Sequence, residues 1–240
     1  MTDFFEGAII PVDKPYRLSS FGALARVRYL LTKHLKVKKI KIGHAGTLDP
    51  LATGVLVLCT GKATKRIDEL QRHTKEYTAT LQLGATTPSY DLEHPVDASY
   101  PTDHITRQRI EEVLQRFTGD IQQVPPAFSA VMVDGHRAYK LARKGEEITI
   151  APKTVRIDEI ELTLFDPETM QMAIRVVCGK GTYIRSLARD IGEALQSGAH
   201  LTSLRRTRVG DIRVEDCHKL DDIQQWLDNL VTHTEHNTTT

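Results

Sequence analysis

The side chains that could do chemistry crowd into one run, Gly43-His44-Ala45-Gly46-Thr47-Leu48-Asp49-Pro50-Leu51-Ala52-Thr53-Gly54. It holds one carboxylate, one imidazole and two hydroxyls among three glycines. Pro50 biases Asp49 away from helix, and the glycines allow tight turns. Two readings of Asp49 fit that pattern equally. It is either the cap of an Asp-Pro turn, or a reactive carboxylate, which needs no activating base because an ordinary aspartate ionises near pH ~3.9. Other chemical patterns fail. Gly61-Lys62 is followed by Ala63, and Gly179-Lys180 has no glycine five residues upstream, so neither makes a phosphate loop. Three cysteines, Cys59, Cys178 and Cys217, show no C-x-x-C spacing, and His233 and His236 sit near the C-terminal end. No metal and no nucleotide or redox cofactor is expected.

The elements that must carry this run are legible in part. Residues 9–15 read as a short strand ended by prolines. Ser19 or Ser20 can cap a helix with Phe21, Leu24, Val27 and Leu31 on its apolar side and a basic opposite side. Val55 to Cys59 is continuously apolar, as in a strand buried on both faces. Helices are expected over 62–70, 106–117, 183–195 and 220–230, with a helical turn over 141–147. Strands are expected over 77–83, 155–165 and 170–178, and Asp134-Gly135 marks a hairpin turn. Strands and helices mix without a regular βαβ repeat, which predicts an α+β fold with a mainly antiparallel sheet flanked by helices.

The chain has 240 residues, 40% apolar and 26% charged, with a net charge of +1. That suits one globular domain over 1–232, with 233–240 a disordered tail. No apolar run reaches the ~20 residues of a membrane span, and the acidic start resembles no signal peptide. The expected location is cytoplasmic, without membrane contact. The charge is segregated: nine Lys/Arg and no acid lie between Lys14 and Leu48. Arg185, Arg189, Arg205, Arg206, Arg208 and Arg213 form a second basic set. Such segregation marks either a face that meets phosphates or a solvated helix face, and composition leaves both open.

The 43–54 run resembles the signature of the TruB family of tRNA pseudouridine synthases. Further similar motifs follow in order: Asp13-Lys14-Pro15, Lys75-Glu76-Tyr77, Pro125-Pro126-Ala127-Phe128-Ser129-Ala130, Gly135-His136-Arg137-Ala138-Tyr139, Gly181-Thr182-Tyr183-Ile184-Arg185-Ser186-Leu187, Gly198-Ala199-His200-Leu201 and Leu204-Arg205-Arg206. The resemblance implies a pseudouridine-synthase-like fold and conversion of uridine to pseudouridine in the T-loop (position 55) of tRNA, with no cofactor. It implies Asp49 as the catalytic carboxylate, Arg185 as its ion-pair partner, and Tyr77 as the ring that stacks on the target base and helps remove its C5 proton. Tyr183 and Leu204 would line the uracil pocket, and His44 would enter the RNA loop and help displace the nucleotide. By their charge, the basic segment 14–41, including Lys14, and Arg205, Arg206 and Arg208 are candidates to hold phosphates, and the segment 124–150 resembles the family's mobile RNA-clamping insertion. The implied partner is the tRNA T-stem-loop, bound by a monomer.

Ala45 stands where many members carry Thr. The stretch after Gly210 is too short for the PUA domain that many bacterial members carry. RNA binding is therefore expected to rest on the catalytic domain and to be salt-sensitive. Two other readings are a non-catalytic tRNA-binding chaperone and a related synthase working on guided RNA within a ribonucleoprotein.

Overall fold

The structure, a computed structural model, describes residues 3–146 and 148–235. In chain order the elements are β1 (Ile9–Lys14), α1 (Ser20–His34), β2 (Ile42–His44), β3 (Thr53–Thr60), a 3₁₀ turn (Gly61–Arg66), α2 (Ile67–Arg72) and β4 (Lys75–Leu83). Next come β5 (Ala85–Thr86), β6 (Ala98–Ser99), α3 (Arg107–Gln115), β7 (Gly119–Gln123), β8 (Met132–Val133), β9 (His136–Arg137) and α4 (Ala138–Ala142). They are followed by β10 (Lys153–Asp166), β11 (Gln171–Cys178), α5 (Ile184–Ala194), β12 (Ala199–Val209), β13 (Ile212–Arg213), β14 (His218–Lys219) and α6 (Ile223–Glu235). The chain groups into two compact units, one of residues up to Lys75 together with those from Arg205 onward, the other Glu76–Leu204.

The first unit is organised by β3. It runs antiparallel to β1, from Ile9 opposite Cys59 to Lys14 opposite Gly54, and antiparallel to β2, with His44 opposite Leu58. It is parallel to the end of β12, with Arg206 opposite Gly54. Because successive side chains of a strand point to opposite faces, β3 serves two cores. Leu56 and Leu58 pack with Ile10, Val12, Leu24, Val27, Leu31, Ile223 and Leu227. Val55, Val57 and Cys59 pack with Ala45, Leu70 and Val209. The apolar run therefore reflects burial on both faces, as its lack of alternation predicted.

In the second unit β4, β10, β11, β7 and the first half of β12 form the sheet. β10 is antiparallel to both β11 and β7. Tyr77, Ala79, Leu81 and Leu83 alternate inward along β4, as do Met172, Ile174 and Val176 along β11. Ile184, Leu187, Ala188 and Ile191 recur at helical spacing on the buried side of α5. β8 and β9 form the hairpin that Asp134-Gly135 announced, with both turn residues at positive φ (48° and 80°), as a tight two-residue turn requires.

Three expectations need correction. Phe21 does not join the apolar side of α1. The buried residues there are Ser20, Ala23, Leu24, Val27 and Leu31, and Phe21 is exposed because its position in the first turn rotates it off that stripe. The helical turn placed over 141–147 begins earlier, at Ala138, because Ala138 N donates to Val131 O and Tyr139 N to Ser129 O, which sets the first turn against the hairpin. Glu147 lies outside the described residues, as do residues 236–240 of the expected tail, while His233–Glu235 continue α6. The helix expected over 62–70 begins as a 3₁₀ turn and becomes α-helical only at Ile67.

Two features of β1 and β3 lead to testable outcomes. Gly54 has φ +102°, and a Cβ there would meet Arg206 O at 2.1 Å. Backbone cannot retreat as a flexible side chain can, so Gly54→Ala is expected to destabilise the protein by on the order of 3 kcal/mol in urea unfolding. A change within experimental error would contradict this register.

Lys14 closes β1 with 0% exposure. Its Nζ donates to Leu18 O (2.6 Å), Pro15 O (3.1 Å) and Pro50 O (3.3 Å). Burial lowers its pKa from 10.5 to about 8. Below pH 8 both folded and unfolded states carry the charge and the burial penalty is present in full. Between pH 8 and 10.5 the unfolded chain binds more protons, so stability from this group rises with pH. Relative to Lys14→Met, the wild type is expected to gain up to a few kcal/mol across that window. A pH-independent difference in unfolding free energy would rule this out.

Candidate active site

The loop between β2 and β3 carries Asp49, and side chains from three elements hold its backbone. Arg206, on β12 and 2% exposed, donates from Nε to Val55 O (2.8 Å), from Nη2 to Gly46 O (3.2 Å) and from Nη1 to Thr47 O (3.4 Å). Its backbone lies opposite Gly54, so one residue joins the two ends of the loop. Ser20 Oγ, at the start of α1, donates to Leu48 O (2.9 Å) and accepts from Leu48 N (2.8 Å). Ser19, not Ser20, caps the helix, accepting from Gly22 N at 3.0 Å. Lys14 reaches Pro50 O, and Ala52 N donates to Asp49 O at 3.1 Å. Residues 46–50 are thus fixed one by one, with Asp49 half-buried between the points held by Ser20 and Lys14. The Asp49 carboxylate is close enough to Lys14 to oppose the lowering of its pKa.

His44, the last residue of β2, is half-buried, and its Nδ1 has no hydrogen-bond partner among the described residues. Burial and the Arg206 charge lower its pKa, which favours the neutral ring. Arg205 points the other way along β12. Its guanidinium forms a two-pronged pair with Asp13 (2.8 and 3.2 Å) and also donates to Thr53 Oγ1 at 3.3 Å.

Lys14, expected to hold a phosphate, is buried in this structure and its ammonium is satisfied by three carbonyls, one of them Pro50 O of the loop. Arg205 keeps partial exposure, but it is already matched by a carboxylate.

Within the second unit, Arg185 lies in the first turn of α5 and is 4% exposed. It donates to Phe128 O (2.9 Å) and Ser89 O (3.2 Å), and its Nε is 3.7 Å from Asp91 Oδ2. Tyr183 immediately precedes α5. Its backbone is gripped by the buried Gln123 amide, which accepts from Tyr183 N (2.8 Å) and donates to Tyr183 O (3.2 Å). Tyr77 is buried on the inner side of β4, and Leu204 is half-buried on β12. Asp49, His44, Lys14 and Arg205 therefore share one unit, and Tyr77, Tyr183, Arg185 and Leu204 the other.

Sequence reasoning gave no positioning role to Arg206, Ser20, Gln123 or Asp91. Arg206 stood there only among basic residues for phosphates, and Ser20 only as a possible cap. Each acts on a group far away in the chain, mostly a backbone carbonyl, and such partnerships leave no periodic mark in sequence.

Comparison with known proteins agrees with the motif order. A family model described as TruB family pseudouridylate synthase (N terminal domain) matches residues 32–184. A second, the tRNA pseudouridylate synthase B C-terminal domain, matches residues 185–236. The chain is 64% identical to tRNA pseudouridine synthase B of Bacteroides thetaiotaomicron over 94% of its own length and 95% of the relative's. It is 63% identical to the protein of that name from Phocaeicola vulgatus, again over 94% and 95%. Among solved structures, a Cbf5-Nop10-Gar1 complex contains a similar chain with TM-score 0.67 and 29% identity over 98% of this chain. A second is an H/ACA RNP bound to a substrate RNA containing 2′-deoxyuridine, with TM-score 0.65 and 27% identity over 98% of this chain. The chain spans 57% and 56% of those two solved chains. The ordered motifs, the mixed and mostly antiparallel sheet with its helices, and the matched family models together place this chain in the TruB family of pseudouridine synthases.

Proposed function

We propose that this protein isomerises uridine to pseudouridine in the T-loop of tRNA, at position 55, with Asp49 as the reacting carboxylate. The observation that carries the proposal is the loop itself: residues 46–50 are each held by a specific hydrogen bond, and the one acid among them is half-buried. A turn that merely reversed the chain would not need two buried cations and a buried hydroxyl to hold it. A reaction without an external reagent does need such rigidity, because its rate depends on placing one group against one bond.

The reaction breaks the bond between uracil N1 and ribose C1′, turns the base, and joins C5 to C1′. The proton leaving C5 balances the one gained at N1, so the product is an isomer. Asp49 serves either by attacking the sugar or base or by assisting elimination, and each route uses the same carboxylate. Arg185 is assigned as the cation that balances Asp49 when substrate is bound. The target nucleotide must leave its stack, at a cost of a few kcal/mol recovered by stacking and pocket contacts. His44 enters the vacated place, Tyr77 stacks on the freed base, and Tyr183 and Leu204 bound its pocket. The hairpin of β8 and β9 with α4 acts as the clamp, presenting Arg137, Lys140, Arg143 and Lys144 to the backbone of the RNA.

The direct test is conversion of an unmodified tRNA transcript, followed by tritium release from uridine labelled at C5. Asp49→Asn is expected to lose activity by at least about a thousandfold while retaining tRNA affinity. Pseudouridine formation at the wild-type rate, or a wild-type protein that binds tRNA and leaves it unmodified, would sink the proposal. Tyr77→Phe keeps the stacking ring and removes the hydroxyl. A fall in kcat of about a hundredfold with affinity unchanged would fit a role in moving the C5 proton, and an unchanged kcat would confine Tyr77 to stacking.

A further inference from the structure

The outer face of α1 and the loop that follows it have no work in the reaction described above. Phe21 and Tyr29, at 66% and 63% exposure, are the two most exposed of the large apolar side chains among the described residues. They lie two turns apart on α1, on the side away from Leu24, Val27 and Leu31, and Lys33 follows one turn later. Lys36, Lys38 and Lys39 come next and are all exposed. Their loop is fixed: Val37 N donates to Thr32 O at 3.0 Å, Ile40 is buried in the core beside α1, and Gly61 N donates to Lys41 O at 2.9 Å.

Many exposed cations have a local acid, as in Lys62 with Glu6, Arg66 with Glu69, Arg107 with Glu111 and Arg156 with Asp158, and on α1 itself Arg26 pairs with Asp221. Among the described residues, Lys33, Lys36, Lys38 and Lys39 form no salt bridge, and no acid occurs between Lys14 and Leu48. An unneutralised row of lysines beside exposed aromatic rings matches a polyanion that also offers flat bases or sugars, which is the chemistry of RNA. A protein partner fitting the same face would need a matching acidic surface with its own apolar groups. A folded tRNA supplies phosphates in a fixed row without further assumption.

We propose that the outer face of α1 with the 36–39 loop binds the tRNA body outside the target loop, Lys33, Lys36, Lys38 and Lys39 meeting phosphates and Phe21 and Tyr29 stacking on exposed bases or sugars. This deepens the reading of the protein as a tRNA-modifying enzyme and rests on it. The face anchors the part of the substrate that an isolated T-stem-loop lacks.

The test compares the affinity of full-length tRNA with that of an isolated T-stem-loop hairpin by filter retention, for the wild type, for the fourfold variant Lys33→Gln, Lys36→Gln, Lys38→Gln, Lys39→Gln, and for Phe21→Ala with Tyr29→Ala. Both variants are expected to bind full-length tRNA about tenfold more weakly and the hairpin as the wild type does. The lysine variant should also show a shallower salt dependence for the full-length substrate. Unchanged affinity for both RNAs would overturn the inference, as would an equal loss on both, or retention of the wild type by anionic lipid vesicles with tRNA affinity untouched by the variants. Because binding is measured without turnover, failure here is separable from failure of the catalytic proposal, which the modification assay reads alone.

Discussion

Arg206 and Lys14 each put a positive charge where water does not reach it, and each directs its N–H groups at backbone carbonyls of the loop around Asp49. Burying a charge is expensive unless every donor is matched. Here the match comes from carbonyls that a tight, glycine-containing loop would otherwise leave exposed or unpaired. The arrangement fixes direction more than it adds stability. With the carbonyls of Gly46, Thr47 and Pro50 held by cations and both polar backbone groups of Leu48 held by Ser20, the backbone around Asp49 has little freedom left. The nearby carboxylate in turn eases the burial of Lys14, opposing the fall in its pKa.

The rest of the first unit serves that loop. β3 is pinned on both faces by separate cores, so the strand that receives the loop cannot shift without opening one of them. β1 delivers Lys14, α1 delivers Ser20 and β12 delivers Arg206, three elements converging on five consecutive residues. The second unit repeats the device: Arg185 is oriented by two carbonyls and Asp91, and Tyr183 by both polar groups of Gln123. In both units a residue proposed to act in the reaction is placed by hydrogen bonds that involve backbone groups, the kind of support that holds a geometry within the tolerance chemistry needs.

What could be read from the sequence follows from what is local. The 43–54 run, the doubly buried strand at 55–59 and the Asp134-Gly135 turn are written in consecutive residues, and each appears in the structure where composition and spacing put it. Lys14, Arg205 and Arg206 look alike in sequence, three cations in basic surroundings. Only the fold separates a buried loop support from a cation paired to Asp13. Phe21 misled for the same reason: its spacing suits a core position, but α1 meets the sheet along a stripe that begins at Ser20 and passes it by. Gln123 and Asp91 gave no local sign at all, since their partners lie far along the chain.

If the frame around Asp49 sets the rate by aiming its carboxylate, Arg206→Lys tests it most directly, because lysine keeps the charge and loses the planar fork that reaches three carbonyls. The quantity to measure is the single-turnover rate of pseudouridine formation with enzyme saturating over tRNA, alongside tRNA affinity and thermal stability. The prediction is a rate lower by about tenfold or more at unchanged affinity, persisting at temperatures where the variant is fully folded. A fully folded Arg206→Lys protein that converts its bound tRNA at the wild-type rate would contradict the account.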